Sequence, residues 1–280
     1  PYETEDRLHR AGGLRGPVTA LWCSRPGSPP ILWRPFHGLA GPGIERNLYK
    51  SDLSDRLVFE EHHRELGLTL SACWSTSRRF GVVRSVTVSN HRSEPASLAI
   101  LDGLIDLEPA LVMTAARQAL SCLVDAYTRC ERVGDLQLVL CSLESRLVDR
   151  PEPAEALRAT MVWSVGLDEV AVLLSESSPA DFTRRPPPSL HGGPLYGADA
   201  APLSTGRRGA FVLSTQLELA GQSEHTWHLV GEVHADHPTI APVVNALAAP
   251  TTLRQDLEVD IEDGRHRLRR LVASVDADQF

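Results

Sequence analysis

The sequence predicts a mainly β protein: two antiparallel sheets packed face to face, with amphipathic helices at the C-terminal end. Three observations predict it. Apolar and polar residues alternate with a period of two in several stretches. Short polar turns join many of those stretches. The last 40 residues then change to helical spacing.

In chain order, the first long segment is "GIERNLYKSDLSDRLVFEE". It crowds charged groups before strand periodicity begins near Leu57. Glu45 with Arg46, and Asp52 or Asp55 with Lys50 or Arg56, are expected to pair. Exposed pairs of this kind contribute only about 0–1 kcal/mol and orient the loop more than they stabilise it. Arg46, Asn47 and Lys50 are therefore candidates for a substrate-binding or domain-interface role.

"LGLTLSACWS" sets Leu66, Leu68, Leu70, Ala72 and Trp74 on one face of a strand. The segment 81–104 reads as two strands joined by a polar turn from Asn90 to Pro95. Residues 113–133 carry helix formers, but "CLVDAYTRCE" suits helix or strand equally. "TMVWSVGL" groups Met161, Trp163, Val165 and Leu167. The Pro- and Gly-rich 184–197 is a loop. "FVLSTQLELA" opposes Phe211, Leu213, Leu217 and Leu219 to Ser214, Gln216 and Glu218. "TWHLVGEVHA" opposes Trp227, Leu229 and Val233 to His228, Glu232 and His234. The last two read as a hairpin turning at Gly221 to Ser223. Ile240, Val243, Val244 and Leu247 then fall at helical spacing. Beyond Pro250, Thr251 or Thr252 caps a long helix with Leu253, Leu257, Ile261, Leu268, Leu271, Val272 and Val275 on one stripe. That helix either packs on the outside of the sandwich or leads into a further domain. The expected division is 1–250 for the β domain and 251–280 for a helical connector.

Composition excludes several classes. A net charge of -8 argues against general binding to nucleic acid or anionic membranes. No apolar run reaches membrane-spanning length. The five cysteines lack C-x-x-C spacing, so neither a disulfide framework nor a zinc site is expected, and a reducing cytoplasmic setting fits. His225 and His228, three apart on a strand, point to opposite faces, as do the neighbours His62 and His63. No metal site is expected. The chain opens on Pro1 and is expected to derive from a longer gene product.

Asp102, Asp106 and Glu108 in "LDGLIDLEP" could in principle form an acid/base pair for glycosidic cleavage. A turn or polar strand position is the favoured reading of Asp102. Trp74, Trp163 and Trp227 sit on apolar strand faces and belong to the core. Trp22 and Trp33, beside Pro-rich turns, are the better candidates for exposed stacking on a sugar.

"GIERNLYKSDLSDRLVFEEHHRELGLTLSACWSTSRRFGVVRSVTVSN", "LAILDGLIDLEP", "LVDAYTRCE", "PEPAEALRATMVWSVGL" and "GRRGAFVLSTQLELAGQSEHTWHLVGEV" together resemble the N-terminal region of large inverting glycoside phosphorylases. The likeness is to 1,2-β-oligoglucan phosphorylase and cellobiose phosphorylase-like relatives, over roughly residues 40 to 275. It implies a galactose mutarotase-like β-supersandwich followed by an (α/α)6 barrel in the same parent chain. In that family the barrel holds the catalytic Asp and binds inorganic phosphate as co-substrate. No barrel residue can be placed here. The resemblance thus implies a noncatalytic domain of a carbohydrate phosphorylase, with no cofactor and no catalytic residue of its own. Its expected partners are the barrel, a β-glucan oligosaccharide and a second copy of the chain. Two alternatives stand beside it: a stand-alone carbohydrate-binding module and a mutarotase-like sugar epimerase.

Overall fold

The computed structural model describes residues 15–112, 121–146, 156–175 and 177–275. Its strands are β1 (Gly16–Ser24), β2 (Ile31–Trp33), β3 (Ile44–Lys50), β4 (Leu57–His63), β5 (Leu68–Ser77), β6 (Gly81–Asn90) and β7 (Ala96–Leu107). After helix α1 (Ser121–Tyr127) come β8 (Thr128–Arg132), β9 (Leu138–Leu143), β10 (Ala159–Val165) and β11 (Ala171–Leu173). A short helix α2 (Ser178–Arg184) and a 3-10 turn (Pro188–His191) follow. β12 (Leu203–Thr205), β13 (Gly209–Leu219) and β14 (Glu224–Ala235) complete the strands. The chain then runs into α3 (His237–Ala246) and α4 (Pro250–Val275).

Two antiparallel sheets result, as expected. One has five strands in the order β11-β13-β7-β1-β2. The other has nine, in the order β12-β8-β9-β10-β14-β6-β5-β4-β3. The inward phases of the alternating strands meet between the sheets. Leu21, Leu98, Ile100, Phe211 and Leu213 of the smaller sheet pack on Leu68, Leu70, Val86, Trp227 and Leu229 of the larger. Each fully buried side chain of this size contributes about 1.5–3 kcal/mol.

Both outer faces are covered in part. Over the small sheet, Phe182 of α2 and Leu190 pack on Trp22, Leu101 and Val212. Over the large one, Val243 of α3, Leu247 just after it, and Leu253 and Leu257 of α4 pack on Val83, Met161, Trp163 and Val230. The first half of α4 therefore does pack against the sandwich. Leu268 and Val272 are half-buried, whereas Leu271 is 59% exposed and Val275 88%.

Amid the apolar contact between the sheets stands a polar cluster. Asp102 of β7 is wholly buried. Its carboxylate accepts from Arg84 Nη1 at 2.9 and 2.8 Å, from the Thr19 hydroxyl at 2.7 Å and from the Trp227 indole at 2.8 Å. Arg84 Nη2 closes the ring by donating to Thr19 Oγ1 at 2.8 Å. Thr19 and Asp102 belong to the small sheet, Arg84 and Trp227 to the large one. The cluster spans the interface.

Several expectations need correction. β13 and β14 are not a hairpin, because β13 lies in the small sheet and β14 in the large one. Gly221–Ser223 is part of an arch between sheets, and 91–95 between β6 and β7 is a second. The two arches lock together. Asn90 Nδ2 donates to the carbonyls of Glu94 and Ala220, and the Gln222 backbone N–H donates to Arg92 O. Val233 is 62% exposed rather than inward. The β10–β14 register shifts between Ala159 and Met161, and His234 takes φ 60, so the alternation breaks there. Leu167 leaves the face of Met161 and joins the inter-sheet core beyond Gly166. The ambiguous "CLVDAYTRCE" is both things in turn, α1 and then β8; the start of the helix-forming stretch, 113–120, lies outside the described residues.

A Cβ added at Gly221 would stand 1.8 Å from the Ser93 carbonyl oxygen, a backbone atom fixed by the facing arch. Gly221→Ala is expected to destabilise the fold by about 1–3 kcal/mol, as overpacking does. Chemical denaturation of the variant beside the parent checks this.

Candidate functional site

The outward phase of the large sheet divides in two. Under the helices it is apolar, with Val83, Met161, Trp163 and Val230. Farther along the same strands it turns polar and open. In β6 the outward residues run Val83, Ser85, Thr87, Ser89; in β14 they run Val230, His228, Thr226, Glu224. The boundary is a latch between sheet and helix. Ser85 donates its hydroxyl to His228 Nδ1 at 2.8 Å, and His228 Nε2–H donates to Glu258 of α4 at 3.2 Å. Arg254 also donates to Glu258, at 3.0 Å.

Strand register builds the open half into two rows across five strands. Glu45, His62, Thr69, Ser89 and Glu224 pair in sequence across β3, β4, β5, β6 and β14. Asn47, Glu60, Ser71, Thr87 and Thr226 do the same one step along. All of these residues except Thr226, together with His91, line an open trough of about 670 Å³, within the usual size of small-molecule sites. Hydroxyls form its floor. Thr69 Oγ1 lies 2.8 Å from His62 Nδ1 and 2.7 Å from His91 Nε2, so one hydroxyl holds both imidazoles. Asn47 Nδ2 and the Tyr49 hydroxyl donate to Glu60 at 3.3 and 3.1 Å. The bond to Glu60 raises the Tyr49 phenol above its ordinary value. Arg64, bonded to Glu45, holds that carboxyl below the usual range. Among the described residues no group of His, Cys, Asp and Glu is arranged to hold a metal ion.

A second concavity, about 260 Å³, opens at the sandwich edge. Phe36, Phe59, Trp74 and Pro17 wall it, and Thr19 and Arg84 line it as well. Trp74 is thus only half buried, whereas Trp163 and Trp227 are sealed in the core as expected.

The sequence candidates scatter. Trp22 and Trp33 are not exposed stackers, being 9% and 3% exposed. Trp22 donates to Phe182 O at 2.9 Å under α2. Trp33 and Arg46 meet at one buried carboxylate, Glu61. It accepts from the Trp33 indole at 2.7 Å, the Phe36 backbone N–H at 2.7 Å and Arg46 Nε at 2.6 Å. Arg46 also donates to the Gly38 and His37 carbonyls. This clamp ties the 34–43 loop to the sheet. Lys50 stands at the exposed end of β3. Asn47 alone of the five reaches the trough.

The expected local charge pairs also re-form elsewhere. Arg46 takes Glu61 rather than Glu45, and Glu45 takes Arg64. Arg56 reaches Glu262 of α4 at 2.6 Å, and Asp52 meets Arg265 and Arg269. Sequence reasoning missed Glu60, His62, Thr69, Ser71, Thr87, Ser89, His91 and Glu224. Their signal was the polar phase of each strand, which acquires meaning only when the strands are aligned.

No protein-family model matches the chain, and no curated protein matches it. Among solved structures, a polysaccharide lyase is similar with a TM-score of 0.41 and 11% identity. The match covers 80% of this chain, which spans 27% of that one. No helix among the described residues is long and apolar enough to cross a membrane.

The latch makes a pH prediction. Burial pushes the His228 imidazole below its ordinary value, against the opposing pull of Glu258. Burial works upward on Glu258, but hydrogen bonds from Arg254 and His228 outweigh it and hold the carboxyl low. A depressed histidine leaves the unfolded chain holding more protons, so its contribution is present above the unfolded value of about 6.5 and lost as pH falls below it. Stability is expected to decline from about pH 7.5 to about pH 5.5, and less steeply in His228→Gln. Denaturant titrations of both proteins across that window check this, the difference in slope isolating His228.

Proposed function

We propose that this chain is a noncatalytic β-sandwich domain of a carbohydrate-active protein. Its parent is a glycoside phosphorylase that cleaves β-glucan oligosaccharides with inorganic phosphate on a separate helical barrel. The observation that carries the noncatalytic part is the state of two of the three candidate acids, Asp102 and Asp106. Asp102 accepts four hydrogen bonds from three donors in the sealed core. Asp106 is bridged by Arg15 at 3.0 Å and Arg208 at 3.7 Å. A carboxylate so engaged does not reach a scissile glycosidic oxygen, which general acid catalysis requires. The phosphorylase assignment is supported by the sequence resemblance over residues 40 to 275.

The trough favours a second reading, a glycan-binding module. Hydroxyl, amide, imidazole and carboxylate groups on a rigid sheet match the donor and acceptor pattern of a polyhydroxylated ligand. The epimerase reading requires a histidine and a carboxylate on one substrate. Glu45 faces His62 across β3 and β4, but it is already paired with Arg64.

The chain is to be incubated with β-glucan oligosaccharides and inorganic phosphate, and separately with a free sugar anomer. No sugar 1-phosphate and no accelerated anomer exchange are expected. The longer parent protein should release sugar 1-phosphate. Release by this chain, or no release by the parent, contradicts the proposal.

A further inference from the structure

We propose that the trough on the open half of the nine-stranded sheet is a binding site for an uncharged, linear oligosaccharide lying across the strands. This deepens the carbohydrate reading and rests on it. The direction follows from register. Both rows cross β3, β4, β5, β6 and β14 at right angles to the strands. Four interstrand steps of about 4.8 Å give a row roughly 19 Å long, room for a chain of several sugar units rather than one.

The preference for an uncharged ligand follows from the side chains. Neither row contains Lys or Arg, the residues that recognise phosphate, sulfate and carboxylate groups. Glu60 and Glu224 repel an acidic glycan, and all three carboxylates, Glu45 included, accept hydrogen bonds from neutral hydroxyls. The carboxylates also make a basic peptide the strongest rival. Two features weigh against it. Glu45 is already neutralised by Arg64, and Glu60 accepts from Asn47 and Tyr49. The floor itself is neutral: Thr69, Ser71, Thr87 and Ser89 offer directed hydrogen bonds with no charge to desolvate.

A solvated sheet face is the ordinary alternative for any such surface. Exposed strand faces are commonly studded with long charged side chains that cover the sheet. Here the central strands carry only short hydroxyls, while larger groups rise at the rims. Ligand-sized relief therefore lies on rigid strands rather than on loops.

The test is calorimetric titration of the whole chain with three probes: a linear β-linked gluco-oligosaccharide, an oligogalacturonate and an oligolysine. Thr87→Arg and Ser71→Arg each place a long cation on the floor. Both point outward from the core, so unfolding midpoints close to the parent's are the control, and two variants guard against one misfolding. The expected result is saturable binding of the neutral glycan alone, weakened at least about tenfold in each folded variant. Equal or tighter binding of the acidic glycan or the peptide overturns the proposal. So does absent glycan binding, or binding that both variants leave unchanged. These failures leave the noncatalytic reading standing, whereas sugar 1-phosphate release by the chain overturns that reading without touching the trough.

Discussion

The Asp102–Arg84 pair is the constraint around which the sandwich is arranged. A buried carboxylate and guanidinium are costly to strip of water, and only good geometry with further hydrogen bonds offsets that cost. Here the offset needs both sheets at once. Asp102 and Thr19 come from one, Arg84 and Trp227 from the other. Apolar packing between sheets is tolerant of small slips, because greasy surfaces have no direction. A closed ring of hydrogen bonds between 2.7 and 2.9 Å is not. It fixes how the small sheet sits on the large one, and Gly103 beside Asp102 lets β13 approach β7 closely. A Cβ there would lie 2.2 Å from the Phe211 carbonyl oxygen.

With the inner faces fixed, the outer face of the large sheet is free to be divided. One half is greasy and is sealed by α3 and α4. The other is hydrophilic and bare. The helix is held at the border by polar contacts, among them Ser77 with Asp260 at 2.5 Å, Arg56 with Glu262, and His228 with Glu258. The charged run at 43–61 thus serves two structural ends. Its basic and acidic groups anchor α4, and Glu61 gathers Trp33, Phe36 and Arg46 to hold the preceding loop. Glu45, Asn47 and Glu60 are the residues of this run that face the trough.

Much of the fold was legible because inward phases were strict. Leu68, Leu70 and Ala72 could face only one way, and Leu253 and Leu257 needed a sheet beneath them. What alternation lacks is partner identity. Gly221–Ser223 has the composition of a hairpin turn, and an arch between sheets uses the same residues. Asp102 carried a signal in hindsight of its phase: it follows Leu98 and Ile100 on the inward side, as Arg84 precedes Val86 and Val88. A charge on each of two greasy phases calls for a match, but nothing local says where. The trough was illegible for a similar reason. Its residues run from Glu45 to Glu224, one or two per strand, with no motif in any one segment. The tryptophans misled in the opposite sense. Neighbouring prolines suggested exposure for Trp22 and Trp33, whereas each indole N–H found a buried acceptor.

The most direct test of this account is a double-mutant cycle on Asp102→Asn and Arg84→Met, read by equilibrium unfolding. Each single change leaves a charge in the core without its counter-ion and should cost about 3–5 kcal/mol. Removing both charges should leave a protein more stable than either single variant. Losses that simply add, within about 0.5 kcal/mol, would show that the two groups act independently and that the sheets are held together without them.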